Sequence, residues 1–199
     1  GKAVMAACAE SLTPVVIEAG GKDALLVDAD ADLDAAAEAA VWGAYSNAGQ
    51  TCIGIERVYV HADVADRFVD RVAELTTELR AGVDDTARLG PLTMARQADV
   101  VRAHVTDALA AGGHLRAGGL PAKGAVIPPI LLTDVDERST AVREETFGPT
   151  LVVNRVASME EAVRRPTPSV TACRARCSPA DGARSWRRAC AAAWWRSTR

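Results

Sequence analysis

Aromatic residues, histidines and long apolar runs are all scarce in this sequence of 199 residues. Only 4% of the residues are aromatic, and His61, His104 and His114 stand far apart. No apolar stretch is long enough to cross a bilayer and no signal peptide is visible. A net charge of −3 argues against a nucleic acid as the main partner. We therefore expect a cytoplasmic protein with neither a membrane nor a nucleic-acid partner.

Regularly paired cysteines are also absent. The five cysteines are Cys8, Cys52, Cys173, Cys177 and Cys190. Their odd number and irregular spacing favour a reducing compartment over a disulfide framework. Cys173 and Cys177 lack the second pair of ligands that a zinc site needs, and the scattered histidines do not supply it. We expect no metal site.

Helical and strand-like patterns alternate along residues 1 to 163. Helices are predicted at 2–12, from Asp32 as N-cap to about 46, at 63–81, at 94–111 and after the capping box of Ser158 and Glu161. Strands are predicted at 15–17, 24–27, 55–60, 114–117, 125–127, 130–132 and 151–156. This alternation predicts a layered α/β domain. His104 lies on the apolar stripe of its helix, so we predict a packing role for it.

The stretch Asn47-Ala48-Gly49-Gln50-Thr51-Cys52 places a thiol on a loop that contains glycine, just before the predicted strand at 55–60. A thiolate is a good nucleophile where its surroundings lower its pKa. Gly49 permits close approach of the backbone to a substrate, and Gln50 or the N–H of Cys52 could donate to an oxyanion. The alternative is a small residue of the core.

Glu18 stands roughly thirty residues upstream, between the apolar run Val15-Val16-Ile17 and the pair Gly20-Gly21. A covalent intermediate on a thiol needs a base that activates water for its release. Partial burial would raise the pKa of Glu18 and suit it to that role. The alternative is an ordinary solvated glutamate.

Five motifs, in this order, resemble the aldehyde dehydrogenase superfamily. They are Glu18-Ala19-Gly20-Gly21-Lys22, Asp28-Ala29-Asp30-Ala31-Asp32-Leu33, the stretch that ends at Cys52, Arg57-Val58-Tyr59-Val60 and Glu144-Glu145-Thr146-Phe147-Gly148-Pro149. The resemblance covers about residues 1 to 165. It implies an aldehyde dehydrogenase-like catalytic domain, in which helices flank an open twisted sheet.

The same resemblance divides the chain into three parts. Residues 1–18 would be a remnant of the dinucleotide-binding domain, 19–163 the catalytic thiol domain, and 164–199 an aberrant, disordered tail. Because family members are more than twice as long and this chain begins with Gly1, we expect most of the Rossmann-like cofactor domain to be absent from it. The absent part would include the lysine that meets the adenosine ribose and an asparagine that completes the oxyanion hole.

The activity implied by the resemblance is the NAD(P)-dependent oxidation of an aldehyde to a carboxylic acid. Cys52 would attack the aldehyde and carry a thioester, and Glu18 would activate the water that hydrolyses it. The motif around Cys52 is most similar to the succinate-semialdehyde branch. Intact members form homo-oligomers.

Binding of NAD or NADP is assigned by the resemblance to further residues. Glu145 would hold the nicotinamide ribose, and Phe147 would pack nearby. Gly1, Ala19 and Gly20 would also lie at the cofactor, although the family commonly has leucine where this sequence has Ala19.

Two other functions stay open. The chain could be a non-catalytic remnant that pairs with an intact homologue, or a cofactor-free thiol esterase that uses Cys52 and Glu18. Whichever of the three functions applies, we expect this chain alone to reduce no NAD with small aldehydes.

The composition changes abruptly at about Arg164. Residues 164–199 contain nine arginines, three of the four tryptophans and three of the five cysteines, with no aliphatic periodicity. Codons can be chosen for residues 190–198 that encode a family-like sequence in another reading frame. We therefore hypothesise a frameshift.

Overall fold

The structure, a computed structural model, describes residues 1–120 and 124–165 and the backbone of 175–178. The strands are β1 (Asp23–Val27), β2 (Ile55–His61), β3 (His114–Ala117), β4 (Ile130–Thr133), β5 (Thr150–Val156) and β6 (Ala175–Ser178). The helices are α1 (Lys2–Glu10), α2 (Leu33–Tyr45), α3 (Ala65–Thr77), α4 (Ala95–Ala110), α5 (Thr140–Arg143) and α6 (Met159–Arg164). This architecture confirms the predicted α/β class.

The strands form one mixed sheet in the order β3-β4-β5-β2-β1-β6. Only the pairing of β3 with β4 is antiparallel among these strands; the other four pairings are parallel. Strands buried on both faces are expected to be apolar throughout. That explains why β4 is an unbroken apolar run from Ile130 to Leu132, each residue being fully buried.

Helices cover both faces of the sheet. Leu131, Leu151 and Val153 pack in a core with α2 and α3. Ile130 and Val152 point the other way, into a second core with α4. This split follows from the alternation of side chains along a strand. Each fully buried aliphatic side chain stabilises the fold by about 1.5–3 kcal/mol.

Local signals place most element boundaries. Asp32 accepts a hydrogen bond from the N–H of Ala35 at the start of α2, as predicted for an N-cap. Ser158 accepts from the N–H of Glu161 at the start of α6, while the Glu161 carboxylate accepts from the N–H of Ala157. The predicted capping box is therefore confirmed, except that the Glu161 carboxylate bonds the N–H of Ala157, one residue before the N-cap Ser158.

Two predicted strands are wrong. Residues 15–17 are irregular and exposed, and Val16 is 86% accessible, because no described strand pairs with them. Residues 125–127 are irregular too, and they lead into Pro128 and Pro129, which have no N–H for a strand ladder. The helix predicted at 63–81 is a 3-10 turn at Ala62–Val64 followed by α3, which ends at Thr77, before Gly82. The short helix α5 was not predicted.

The segment predicted as a disordered tail is described in two small parts. Its first residue, Arg164, ends α6, and Ala175–Ser178 forms β6, which pairs in parallel with β1. Those four residues correct the prediction of disorder locally. The other residues from 166 onward lie outside the described parts.

Among the helices of the described residues, none is both long and apolar enough to cross a membrane. The same residues contain no group of three His, Cys, Asp or Glu side chains arranged to hold a metal ion.

Candidate active site

The predicted site residues lie on segments that enter neighbouring parallel strands. Glu18, Ala19 and Gly20 precede β1, Cys52 precedes β2, and residues 144–149 precede β5. In the sheet, β2 lies between β1 and β5, and Asp23 of β1 is opposite Ile55 of β2. Since parallel strands start at the same edge of a sheet, these segments gather at its amino edge.

Cys52 follows a tight loop that is closed by hydrogen bonds between its own residues. The 3-10 turn Ser46–Gly49 contains Asn47 and Ala48 at φ of +54° and +55°, in the left-handed region. Asn47 donates from its amide to the carbonyl of Gln50 at 3.0 Å, and Gln50 donates back to the carbonyl of Asn47 at 3.0 Å. Residues other than glycine keep a left-handed backbone conformation only where surrounding contacts fix it, and such residues cluster at functional sites.

This bonding gives Gln50 a structural part in the loop. Its amide nitrogen already donates to Asn47, and its oxygen accepts from the N–H of Thr93 at 2.9 Å. Gln50 therefore holds the loop. The N–H of Cys52 itself stays as the proposed oxyanion donor.

Gly49 sets the distance between the Cys52 loop and residues 144–149. It has a φ of +73°, and a Cβ built on it would lie 2.1 Å from the carbonyl oxygen of Gly148. A Cβ on Gly148 would in turn lie 2.4 Å from Val101 Cγ2. Both glycines are therefore required by close packing, which seats the thiol loop directly on the Gly148–Pro149 peptide.

Cys52 itself is exposed, so its alternative role as a core residue is wrong. Glu18 is also exposed, which contradicts the expected partial burial. The physical reason is the same as for residues 15–17: nothing among the described residues covers this segment. The sheet edge brings the Cys52 and Glu18 segments together, but it does not bury either side chain.

Glu145 is placed quite differently. It is half-buried, its Oε1 is buried with no hydrogen-bond partner among the described residues, and this oxygen would lie 1.9 Å from a Cβ on Gly20. Burial is the main cause that raises the pKa of Glu145 above its usual value, and the negative charge of the nearby Glu56 carboxylate adds to it. A hydrogen bond from the Gly21 N–H opposes this shift. A buried acceptor without a donor fits a ligand that brings a hydroxyl group.

The other residues assigned to the cofactor lie around Glu145 only in part. Phe147 is half-buried with a φ of +47°, and Gly20 touches the Glu145 carboxylate. Ala19 is exposed. Gly1 is the exposed N-cap of α1, where its nearest contact for a Cβ is Ile17 Cγ2 at 3.3 Å.

A buried polar network that no sequence motif predicted lies behind this site. Lys22 is fully buried and its Nζ lies 2.5 Å from Glu56 Oε2, while Thr146 bonds both of these side chains. His104 is buried, as predicted, but its Nδ1 also lies 3.0 Å from Thr146 Oγ1. A lysine at the start of one buried strand and a glutamate in another must each have a partner to be tolerated there, but that they pair with each other follows only from the adjacency of β1 and β2.

The site therefore offers an exposed thiol on a loop that packs against residues 144–149 at one edge of the sheet. The chain belongs to the aldehyde dehydrogenase family, whose model matches residues 1–174.

Several relatives share this region. The chain is 42% identical to a 4,4'-diapolycopene aldehyde oxidase of Methylomonas sp. over 164 residues, which are 82% of this chain and 31% of that protein. It is 38% identical to succinate-semialdehyde dehydrogenase [NADP(+)] 1 of Mycobacterium ulcerans over 82% of this chain and 36% of that protein. The chain thus spans about a third of the length of these relatives.

Solved structures agree. A succinate-semialdehyde dehydrogenase from Burkholderia pseudomallei matches 97% of this chain and 40% of its own, with a TM-score of 0.89 and 36% identity. Lactaldehyde dehydrogenase from Escherichia coli matches 94% of this chain and 40% of its own, with a TM-score of 0.87 and 33% identity. The fold described above is therefore part of an aldehyde dehydrogenase domain.

Proposed function

We propose that this chain carries the thiol half of an NAD(P)-dependent aldehyde dehydrogenase, which oxidises an aldehyde to a carboxylic acid. The observation that carries the proposal is the seating of the exposed Cys52 loop against residues 144–149 through Gly49 and Gly148. Family membership adds that this loop occupies a region shared with aldehyde-oxidising relatives.

In the proposed reaction the Cys52 thiolate adds to the aldehyde carbonyl, and the N–H of Cys52 donates to the oxygen that gains charge. Loss of hydride from the former aldehyde carbon leaves a thioester on Cys52. Glu18 removes a proton from water, which attacks the thioester and releases the carboxylic acid and the thiolate. The exposure of Glu18 allows access of this water.

NAD or NADP, when bound, supplies the acceptor for the hydride. The residues present fit one part of such a cofactor, because Glu145 Oε1 is a buried acceptor without a donor among the described residues, and the absence of a side chain at Gly20 is what admits the Glu145 carboxylate to this position. We assign Glu145 to a ribose hydroxyl and Phe147, Gly20, Ala19 and Gly1 to the surrounding surface. The similarity to the mycobacterial succinate-semialdehyde dehydrogenase [NADP(+)] 1 favours NADP and a short semialdehyde.

This chain alone is expected to give no NAD(P)H with small aldehydes, because its match covers only about a third of the length of these relatives. Losing one oxyanion donor costs on the order of a hundredfold in rate, and losing most of a cofactor site costs more. The frameshift hypothesis for residues 164–199 belongs to the same proposal, and the DNA of the locus tests it directly. Homo-oligomer formation and a cytoplasmic location remain expectations.

The thiol half is tested without the cofactor. We expect p-nitrophenyl acetate to acylate Cys52 with release of p-nitrophenolate, and mass spectrometry of the digested chain to find the acetyl group there. Cys52→Ala should abolish the burst of p-nitrophenolate, whereas Cys8→Ala, which changes a half-buried thiol on α1, should not. Acetylation that is spread equally over the cysteines would contradict the proposal.

The same chain separates the cofactor-free esterase from the dehydrogenase. A dehydrogenase fragment should bind NADPH weakly in a fluorescence titration, and Glu145→Gln should weaken that binding further. Many turnovers of ester at Cys52, without any binding of NADPH, would favour the esterase. No acylation of Cys52 at all would favour the non-catalytic remnant.

A further inference from the structure

A buried ion pair lies directly behind the candidate site. Lys22 is completely buried and Glu56 is 5% exposed, with 2.5 Å between Nζ and Oε2. Lys22 follows Gly20 by two residues, and Glu56 follows Cys52 by four. Charges are costly to bury, and a pair is tolerated where further hydrogen bonds satisfy both partners.

Most of those further bonds go to one short piece of backbone. Glu56 accepts from the N–H of Thr146 at 2.9 Å through Oε2, and from the N–H of Phe147 at 2.9 Å through Oε1. Lys22 Nζ donates to Thr146 Oγ1 at 3.1 Å. Bonds between a charged group and backbone N–H groups are among the stronger ones in proteins.

The backbone so bound is held in an unfavourable conformation. Phe147 has a φ of +47°, in the left-handed region where an aromatic side chain is an outlier. Such residues persist only where surrounding contacts over-determine them. The Glu56 bond to the Phe147 N–H is one such contact, and the bond from Gln97 Nε2 to the Thr146 carbonyl, at 2.6 Å, is another.

The residues on either side of Thr146 are the two assigned to the cofactor. Glu145 precedes it and presents the buried oxygen beside Gly20, and Phe147 follows it. Fixing the N–H, carbonyl and hydroxyl of Thr146 therefore fixes both neighbours. The ion pair joins this loop to the segment of Glu18 and to the strand that follows Cys52.

We propose that Lys22 and Glu56 form a positioning unit that sets Glu145 and Phe147 relative to Gly20 and the Cys52 loop. Glu56 holds the loop, and Lys22 neutralises Glu56 in the interior. Neither side chain contacts the reacting atoms. The ligand that Glu145 receives rests on the proposed function, but the positioning of the loop does not.

The test uses the full chain with Glu56→Gln, in which a neutral amide replaces the double acceptor. A double variant, Lys22→Met with Glu56→Leu, removes both charges together, a change that buried pairs commonly tolerate without unfolding. Glu160→Gln, which changes an exposed carboxylate on α6, is the matched control.

Amide hydrogen exchange, measured by NMR, reads out the loop itself. We expect the Thr146 and Phe147 amides to exchange at least about tenfold faster in both test variants. The amides of Val152 to Asn154 in β5 should keep their protection, and the control should match wild type. Unchanged exchange at Thr146 and Phe147 would overturn the proposal. So would equally increased exchange along β5, or unfolding of both variants, since each indicates a purely structural role.

A titration with NADPH separates this proposal from the proposed function. If Glu56 acts through Glu145, Glu56→Gln and Glu145→Gln each weaken binding of NADPH. The variant that carries both Glu56→Gln and Glu145→Gln then binds no more weakly than Glu145→Gln alone. Additive losses would overturn the claim that Glu56 acts on the ligand through Glu145. Local loss of protection in a chain that binds no NADPH would support the positioning unit and contradict the assigned ligand of Glu145.

Discussion

Residues 11–19 and residues 144–149 each supply one carboxylate to the candidate site, yet the protein holds the two segments very differently. The first segment is exposed along its whole length and forms no regular structure, although Val15, Val16 and Ile17 favour a strand. The second is fixed by the buried Glu56 carboxylate and by close glycine packing. The comparison teaches that partners, more than local composition, decide which part of this site is ordered.

The largest expected effect comes from breaking the held side. Lys22→Ala leaves the buried Glu56 carboxylate without its counterion, so we expect a loss of about 3–5 kcal/mol in the free energy of unfolding. Lys2→Ala, on the exposed α1, is the control and should leave it unchanged. Urea denaturation followed by circular dichroism measures both. Equal stability of the two variants would show that the pair does not hold this side.

A smaller effect is expected where the thiol loop meets the held loop. Gly49→Ala adds both left-handed strain and a clash with the Gly148 carbonyl, whereas Gly112→Ala, at a φ of +91° with open space around it, adds strain alone. The strain costs about 1 kcal/mol, and the clash should cost about 2 kcal/mol more.

The same denaturation experiment separates the two terms. In addition, acylation of Cys52 should slow in Gly49→Ala and stay normal in Gly112→Ala. If both variants lose the same stability and acylate alike, the loop does not depend on its contact with Gly148.

The smallest effect concerns the two carboxylates themselves. Burial raises the pKa of Glu145 in the folded state, so its contribution to stability is present below about pH 4.5 and is lost as the pH rises through the higher folded value. Glu145→Gln should therefore raise the melting temperature at pH 7.5 relative to wild type, and this gain should vanish at pH 4.

Glu18→Gln is the matched control, because its carboxylate is exposed. Its melting temperature should follow wild type at both pH values. A gain for Glu18→Gln as large as that for Glu145→Gln would remove the distinction between the two segments.

The sequence predicts the elements that carry their own signals. Asp32 and Ser158 mark helix starts, and the apolar and β-branched residues of β1, β2 and β5 indicate strands. Residues 15–17 have the same kind of signal and fail, because a strand also needs a neighbour. That neighbour cannot be read from a local pattern.

The candidate site divides in the same way. Motifs single out Cys52, Glu18 and Glu145, but the burial of each depends on contacts across the fold. The sequence offers Gln50 as a hydrogen-bond donor, and only the structure shows that its amide also bonds Asn47 and Thr93 and so closes the loop. Lys22 and Glu56 become visible as a pair only when β1 and β2 are known to lie side by side.

The most direct test of the account is the rate at which acetyl-Cys52 is hydrolysed in wild type and in Glu18→Gln. Excess p-nitrophenyl acetate is removed after acylation, and mass spectrometry follows the loss of the acetyl group at pH 7.5. Glu10→Gln, which changes another exposed glutamate near the N-terminus, is the control. We expect hydrolysis at least about a hundredfold slower in Glu18→Gln alone, since a general base contributes that much. Equal rates in all three proteins would contradict the pairing of Cys52 with Glu18.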